Sequence, residues 1–317
     1  MKITLLEPLG IPADVLEQYA ASLRERGHAF FACDTRSTDP EELLRRTGDS
    51  EIAVIANTPY PDELIRRAPR LRMVDVAFTG IDHIGQTACR ERGITLCNAA
   101  GYSTGCVAEL ALGLTVACLR FVPAADQAAR QGKTSAGLRG REIRGKTVGI
   151  VGTGAIGTAV ARLFAAFGAR LLAFSRTEKP ELLALGAQYV SLEELMERSD
   201  IVTLHVPATP QTRGMISAEM LSRMQPTSVL INTARGAVVD NAALAAALNE
   251  GRIAAAGVDV FDMEPPLPVE YPLVGARNTV LTPHVAFLTE ESMLRRAEIV
   301  FANIDAFLAG TPQNVCL

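Results

Sequence analysis

The sequence predicts an α/β fold with two doubly wound parallel sheets. The chain has 317 residues, and at roughly 100–200 residues per domain this length indicates two domains. Short apolar runs alternate with longer helical patterns in two separate series, as in parallel sheets that carry helices on both faces. The second series opens with a glycine-rich turn between a strand and a helix, which supports the same fold class.

Composition and charge exclude several classes of protein. Apolar residues make up 48% of the chain, charged residues make up 21%, and the formal net charge is −4. We therefore expect neither a nucleic acid nor a membrane as partner. No run approaches the roughly 18 apolar residues that span a bilayer, and the N-terminal run is too short for a signal peptide. The six cysteines form no CxxC pair, which fits reduced thiols in a cytoplasmic protein. We predict no metal site.

The first series covers residues 1–100. Its apolar runs predict five strands, at Ile3–Leu6, His28–Ala32, Ile52–Ala56, Arg72–Ala77 and Ile94–Cys97. The helical patterns between them lie at Ala13–Arg26, Pro40–Arg46, Asp62–Arg67 and Ile84–Arg92.

A long apolar helix and a polar connection separate the two series. Ser103 or Thr104 is a candidate N-cap, and Glu109 is the only acidic residue within residues 101–120. Because this helix is apolar on most sides, we expect it to be buried between domains or subunits. Residues 130–146 are rich in Gly, Lys and Arg, which predicts a surface connection.

The second series starts at Thr147. It predicts strands at Thr147–Val151, Arg170–Phe174, Ile201–His205, Ser228–Thr233, Ala255–Val260 and Thr279–Leu281. Its helical patterns lie at Ala155–Phe167, Leu192–Arg198, Ala218–Arg223 and Ala242–Glu250, and a last amphipathic helix covers Thr289–Leu308.

The glycine-rich turn at the start of the second series predicts a dinucleotide site. Gly152, Gly154 and Gly157 form a GxGxxG pattern, with Ala155 and Ile156 inside it. The pattern alone is weak, but here an apolar strand precedes it and a helix follows. The first glycine permits the tight turn, the second lets the backbone approach a pyrophosphate, and the third allows close packing of helix and strand. The helix N-terminus offers free N–H groups to the phosphates.

Three ionisable residues follow predicted strands of the second series. Arg235, Glu264 and His284 each come shortly after a strand, so they should meet at the edge of the sheet where the glycine turn lies. Each one alone is explained as a surface or packing residue. Together they suit the reduction of a 2-oxo acid: histidine can donate a proton to the developing alkoxide, a carboxylate favours the imidazolium, and arginine can bind the substrate carboxylate.

Residues Ser175 and Arg176 determine the expected cofactor. An acidic residue that binds the ribose 2′-hydroxyl of NAD stands roughly 20 residues after the glycine turn. Here the strand Arg170–Phe174 is followed by Ser175 and Arg176 instead. Serine does not repel a 2′-phosphate, and arginine can pair with one. We therefore expect NADP to be preferred, with NAD as the alternative.

The chain resembles the D-isomer-specific 2-hydroxyacid dehydrogenase family, and within it the glyoxylate and hydroxypyruvate reductases. The resemblance runs nearly from end to end. It is carried, in the family's order, by "TGIDHIG", "GKTVGIVGTGAIG", "LHVPATPQT", "INTARGAVVD", "GVDVFDMEPP" and "TPHVA".

The resemblance implies roles for individual residues. Arg235 would bind substrate, Glu264 would pair with His284, and His284 would be the proton donor. Backbone groups of the turn after the fourth strand would contact the substrate carboxylate; these are Thr79, Gly80 and Ile81. Further residues would line the cofactor: His205, Val206, Pro207, Thr212, Thr233, Ala234 and Asp259, the last at the nicotinamide amide.

The resemblance also implies an architecture. The two domains would be Rossmann-like or flavodoxin-like, with a cleft between them. Residues 1–99 and 285–317 would form a discontinuous substrate-binding domain, and residues 100–284 the dinucleotide-binding domain. Family members are usually homodimers joined through the nucleotide domain. This chain departs from many relatives at Phe287, where they have a small residue.

Two alternatives to a 2-oxo acid reductase stay open. Oxidisers of formate or phosphite share the fold. Formate enzymes pair their histidine with glutamine, so Glu264 argues against that activity, whereas phosphite enzymes keep the glutamate. Some relatives are nucleotide-sensing corepressors that bind other proteins and also keep the three residues. Turnover of a 2-oxo acid would distinguish an enzyme from such a binding protein.

Overall fold

The computed structural model describes residues 1–317. The chain divides into two compact units, Met1–Ser103 with Leu288–Leu317 and Thr104–Phe287. Each unit contains one parallel sheet flanked by helices, which confirms the predicted fold class. The assignment of one unit to substrate and the other to a dinucleotide stays a prediction.

Twelve strands and twelve α-helices make up the two units. The strands are β1 (Lys2–Leu5), β2 (Ala29–Ala32), β3 (Ile52–Ile55), β4 (Met73–Val76), β5 (Thr95–Asn98), β6 (Thr147–Val151), β7 (Arg170–Phe174), β8 (Gln188–Tyr189), β9 (Ile201–Leu204), β10 (Val229–Asn232), β11 (Ala255–Val258) and β12 (Thr279–Leu281). The helices are α1 (Ala13–Glu25), α2 (Pro40–Thr47), α3 (Asp62–Arg67), α4 (Gln86–Arg92), α5 (Thr104–Leu119), α6 (Val122–Arg130), α7 (Ala155–Ala166), α8 (Pro180–Ala184), α9 (Leu192–Arg198), α10 (Ala218–Arg223), α11 (Asn241–Asn249) and α12 (Glu290–Leu308).

The first unit is built on a five-stranded sheet in the order β2-β1-β3-β4-β5. Its register places Ile3 beside Ile52, and Ile52 beside Met73. Every residue of β3 and β4 is buried, as expected for parallel strands that are covered on both faces. The strand order reverses between β1 and β3, so the turns that follow these two strands lie side by side at one edge.

The second unit is built on a seven-stranded sheet in the order β12-β11-β10-β9-β6-β7-β8. All residues of β9, β10 and β11 are buried. The strand order reverses between β6 and β9, which is where open α/β sheets bind ligands at the carboxyl ends of their strands. The turns after β6, β9, β10, β11 and β12 therefore share one edge of this sheet.

Side chains at the helix N-termini set where several helices begin. Ser191 accepts a hydrogen bond from a backbone N–H of α9, and Asp240 does the same for α11. Thr289 and Ser292 form a capping box at the start of α12. Such caps satisfy N–H groups that have no partner within the helix.

Two short elements were absent from the prediction, β8 and α6. The two-residue strand β8 lies at the edge of its sheet, and none of the residues of α6 is buried, so neither contributes a buried apolar run that would mark it in the sequence. Half of the residues of α5 are buried. No single helix combines the length and apolar character needed to cross a bilayer, and α5 and α6 reach them only as a pair bent by 58°.

Candidate active site

The glycine turn joins β6 to α7 and shows why glycine is needed at two of its positions. Gly152 has a φ of +95°, and a Cβ there would lie 2.7 Å from the carbonyl oxygen of His205. A Cβ on Gly157 would lie 2.0 Å from the carbonyl oxygen of Gly152. By contrast, nothing lies within 4 Å of a Cβ built on Gly154, and both Gly154 and Ala155 are exposed. The turn is therefore closed toward the sheet and open at the N-terminus of α7, which suits a pyrophosphate.

The segment after β7 presents two cations. Ser175 is half-buried, and Arg176 and Lys179 are exposed, with no intrachain partner for either charged group. The segment is tied to the glycine turn through Tyr189 of β8. The Lys179 N–H donates to the Tyr189 hydroxyl over 2.9 Å, and that hydroxyl lies 3.3 Å from Thr153 Oγ1. The predicted 2′-phosphate residues thus lie on a segment anchored to the glycine turn itself.

The turn after β9 contains His205, which is held as a neutral side chain. Its Nε2 lies 2.9 Å from Thr203 Oγ1, and burial lowers its pKa to about 3. Farther along, Thr212 Oγ1 donates to the Pro207 carbonyl oxygen over 2.5 Å and accepts from the Thr209 N–H over 2.8 Å. These bonds close the segment 207–212. Its contact with a cofactor, and that of Val206, stay predictions.

The turn after β10 holds Arg235. Asn232 bridges the turn, because its Oδ1 accepts from the Ala234 N–H and its Nδ2 donates to the Arg235 carbonyl oxygen, both over 3.1 Å. Arg235 Nη1 donates to the Ala234 carbonyl oxygen over 2.8 Å. Thr233 is buried, and its hydroxyl has no hydrogen-bond partner in the protein.

Gly236 is a sterically required glycine beside Arg235 that the sequence interpretation missed. A Cβ at this residue would lie 1.8 Å from the carbonyl carbon of Phe261 and 2.3 Å from the backbone nitrogen of Asp262. The turn that carries Arg235 therefore packs backbone to backbone against the segment that leads from β11 to Glu264. The available signal was the glycine directly after Arg235 in "INTARGAVVD".

Asp259 organises the turn that carries His284. It is fully buried; its Oδ1 accepts from Thr282 Oγ1 over 2.6 Å and from the Val285 N–H over 2.9 Å, and its Oδ2 accepts from the Ala286 N–H over 2.9 Å. His284 has a φ of +57°, a region that costs free energy for a residue with a side chain. The bonds to Asp259 are what hold the turn in that conformation. Contact of Asp259 with a nicotinamide amide stays a prediction.

His284 and Glu264 are in direct contact. His284 Nδ1 lies 3.0 Å from Glu264 Oε2 and 3.1 Å from Oε1. A carboxylate only accepts hydrogen bonds, so Nδ1 is the donor. The imidazole is 12% exposed and the carboxylate side chain 47% exposed. Phe287, the residue that departs from many relatives, meets the imidazole edge-on with ring centroids 5.4 Å apart.

The predicted substrate-binding residues of the first unit follow β4. Thr79, Gly80 and Ile81 are half-buried. The Thr79 carbonyl oxygen accepts from Asn98 Nδ2 over 2.8 Å, and the Ile81 carbonyl oxygen accepts from Gln86 Nε2 over 3.2 Å. These bonds hold the turn in place and occupy the carbonyl oxygens of Thr79 and Ile81 as acceptors.

The neighbouring turn after β3 is fixed by a residue that the sequence interpretation did not single out. The buried carboxylate of Glu7 accepts from the N–H groups of Ala56 and Thr58 over 2.8 Å and 2.9 Å.

No group of three or more His, Cys, Asp or Glu side chains is arranged to hold a metal ion.

Comparison with known proteins gives a consistent result. Residues 112–286 match the model of the D-isomer specific 2-hydroxyacid dehydrogenase, NAD binding domain. The chain is 41% identical over 313 residues to the glyoxylate reductase of Korarchaeum cryptofilum, covering 96% of this chain and 94% of that protein. It is 34% identical over 300 residues to the hydroxypyruvate reductase of Blautia hydrogenotrophica, covering 92% and 93%. Among solved structures, the acyclic imino acid reductase Bsp5 in complex with NADPH and D-Arg superposes with a TM-score of 0.90 at 31% identity and full coverage of both chains.

Proposed function

Because the chain belongs to the D-isomer specific 2-hydroxyacid dehydrogenase family, we propose that it transfers a hydride between a nicotinamide cofactor and a small 2-oxo or 2-hydroxy acid of the D series. The observation that carries this proposal is the contact of His284 Nδ1 with Glu264 at 3.0 Å. It lies at the same edge of the sheet as the glycine turn and the Arg235 turn.

The three residues divide the chemistry between them. The cofactor, when bound, supplies the hydride that adds to the carbonyl carbon of the substrate. His284 donates a proton to the carbonyl oxygen as it becomes an alkoxide, through the nitrogen that is not bonded to Glu264. Glu264 orients the imidazole by accepting a hydrogen bond from its Nδ1. Arg235 binds the substrate carboxylate through two donors and polarises the carbonyl group.

The substrate class follows from relatives and from the first unit. Curated relatives are named glyoxylate reductase and hydroxypyruvate reductase, so glyoxylate and hydroxypyruvate are the first candidates for this chain. The backbone N–H groups of Thr79, Gly80 and Ile81 are proposed to contact the substrate carboxylate. Asn98 and Gln86, which donate hydrogen bonds to carbonyl oxygens of this turn, would keep it rigid when the substrate binds.

NADPH is the proposed cofactor. The half-buried Ser175 carries no charge that would repel a 2′-phosphate, and the free guanidinium of Arg176 and ammonium of Lys179 lie on the same short segment. A structural neighbour was solved with NADPH. NADH remains the alternative, because the matched family model describes an NAD binding domain.

We propose a homodimer formed through the second unit. Helix α6 buries none of its residues, Val122 at its start is 49% exposed, and residues 131–137 after α6 are exposed as well. Such a surface is explained if a second copy covers it.

The six cysteines are free thiols, which fits the proposed cytoplasmic location.

One set of assays tests the proposal against its alternatives. Reduction is assayed with glyoxylate, hydroxypyruvate, pyruvate and an imino acid, each in the presence of NADPH or NADH. Oxidation is assayed with phosphite and formate, each in the presence of NADP or NAD. We expect the 2-oxo acids to be reduced with NADPH. Turnover of phosphite alone would assign the oxidiser activity, and cofactor binding without any turnover would favour the corepressor-like alternative.

A further inference from the structure

Tyr271 forms a buried contact with the segment that leads to Glu264. Its hydroxyl donates to Asp262 Oδ1 over 2.6 Å, and the residue is only 7% exposed. Its ring meets Phe261 edge-on at a centroid distance of 5.6 Å and an interplanar angle of 89°. The side chain of Tyr271 therefore holds two consecutive residues of this segment, one through a ring contact and one through a hydrogen bond.

The segment that Tyr271 holds lies between two of the three reactive residues. The backbone of Phe261 and Asp262 packs directly against Gly236, the neighbour of Arg235. Glu264 follows Asp262 by two residues and contacts His284. A shift of Asp262 would therefore change the position of the Arg235 turn and of the Glu264 carboxylate at the same time.

The hydroxyl of Tyr271 is suited to a permanent hydrogen bond. Burial, and then the bond to the Asp262 carboxylate, raise the pKa of Tyr271 above its ordinary value. The hydroxyl thus stays protonated as a donor at any working pH. Hydrogen bonds from a hydroxyl to a carboxylate are short and stronger than neutral ones, and catalytic geometry depends on such supporting contacts.

We propose that Tyr271 is a positioning residue of the reactive site, and that its hydroxyl acts through Asp262 to set Glu264 and Arg235. This inference rests on the proposed function for its kinetic readout. It assigns no contact of Tyr271 with substrate or cofactor.

The first test replaces only the hydroxyl. Tyr271→Phe should lower kcat by about tenfold, as expected when roughly 1.4 kcal/mol of positioning free energy is lost. The kcat is calculated per cofactor-binding site, so that a loss of folded protein does not lower it. Tyr60→Phe is the matched control, because Tyr60 is fully buried and its hydroxyl bonds to Thr47 over 2.8 Å in the other unit. This control should leave kcat unchanged.

A double-mutant cycle tests whether the hydroxyl acts through Asp262. Asp262→Ala should lower kcat as much as Tyr271→Phe does, and the double variant should lose no more. Asp262→Asn keeps an oxygen that accepts the hydroxyl and should retain most of kcat. If Tyr271→Phe does not fold, the comparison of Asp262→Ala with Asp262→Asn decides the question. The inference would be overturned if the losses of kcat in Tyr271→Phe and Asp262→Ala were independent of each other in the double variant. It would also be overturned if the kcat of Tyr271→Phe stayed within about twofold of the parent.

A readout without turnover separates this inference from the proposed function. The imidazole NMR signals of His284 can be assigned with His284→Gln, because the chain has only four histidines. These signals should move in Tyr271→Phe and not in Tyr60→Phe. If the parent reduces no 2-oxo acid, the proposed function fails, while unmoved His284 signals in Tyr271→Phe would overturn the positioning role.

Discussion

The backbone N–H of His284 donates to the carbonyl oxygen of Asp259 over 2.8 Å, while the Asp259 carboxylate accepts from the two N–H groups that follow His284. The buried Asp259 thus holds the His284 turn through hydrogen bonds of both its backbone and its side chain. The two partners are 25 residues apart in the chain, and the parallel pairing of β11 with β12 brings them together.

Asp259→Asn should destabilise this turn. Whichever way the amide is oriented, its NH2 group faces at least one of the N–H donors of Val285 and Ala286. We expect a loss of about 1–3 kcal/mol in the free energy of unfolding and a lower kcat, measured by urea unfolding and steady-state kinetics. Asp240→Asn is the control, because asparagine caps a helix as well as aspartate does. Equal stability of the two variants would contradict the assigned role.

His284→Ala should abolish most turnover and leave cofactor binding nearly intact. Loss of general acid catalysis costs roughly 10²–10⁴-fold in rate, and the side chain is held by Glu264 rather than by the glycine turn. The measurements are kcat with a 2-oxo acid and the Kd of the cofactor, with His28→Ala as control. Turnover within about twofold of the parent would show that another group donates the proton.

Arg235→Lys should not behave as a conservative change. An ammonium cannot reproduce the planar pair of donors that a guanidinium offers to a carboxylate. Loss of one charged hydrogen bond corresponds to about 1.5–3 kcal/mol, or roughly tenfold to a hundredfold in kcat/KM. Arg277→Lys, an exposed change in the same unit, is the control. An unchanged kcat/KM would exclude Arg235 as the residue that binds the carboxylate.

Arg176→Ala should weaken NADPH binding and barely change NADH binding. The lost contact with a 2′-phosphate is expected to cost roughly tenfold to a hundredfold in Kd. Arg170→Ala is a matched control, since it removes the same side chain at the other end of β7. Ser175→Asp should reverse the preference, because a carboxylate repels the phosphate and accepts from a free ribose hydroxyl. A parent that binds NADH more tightly than NADPH would refute the proposed cofactor.

Asp75→Asn should flatten the pH dependence of stability. Burial raises the pKa of the fully buried Asp75 to about 7, above the value of about 3.9 in an unfolded chain. A raised folded pKa stabilises the protein fully below the unfolded pKa, and this contribution is lost as the pH rises through about 7.

Between pH 4 and pH 8, the free energy of unfolding of the parent is expected to fall by about 4 kcal/mol, since three pKa units correspond to this amount. Urea unfolding at both pH values, for the parent and for Asp75→Asn, measures it. The asparagine keeps an oxygen for Asn303, which donates to Asp75 over 3.0 Å. The same pH dependence in both proteins would show that Asp75 does not titrate in this range.

Much of the fold was predictable from local sequence patterns. The bounds of β6, β7 and β12 are those that the apolar runs predict, because apolar residues make up most of each of these strands. The GxGxxG pattern predicted a turn whose first and third glycines are sterically required. Short exposed elements such as α6 were not predicted, because they contribute no buried residues to a core.

The sequence by itself determined which residues stand at the ends of the strands, and therefore that Arg235, Glu264 and His284 share one edge of the sheet. This follows from chain order and the parallel direction of the strands. The tertiary structure alone decided how these residues are held: by Asp259 under the His284 turn, by Gly236 against Phe261, and by Tyr271 on Asp262. Such contacts depend on the packing distance between separate turns, and no local pattern of residues encodes that distance.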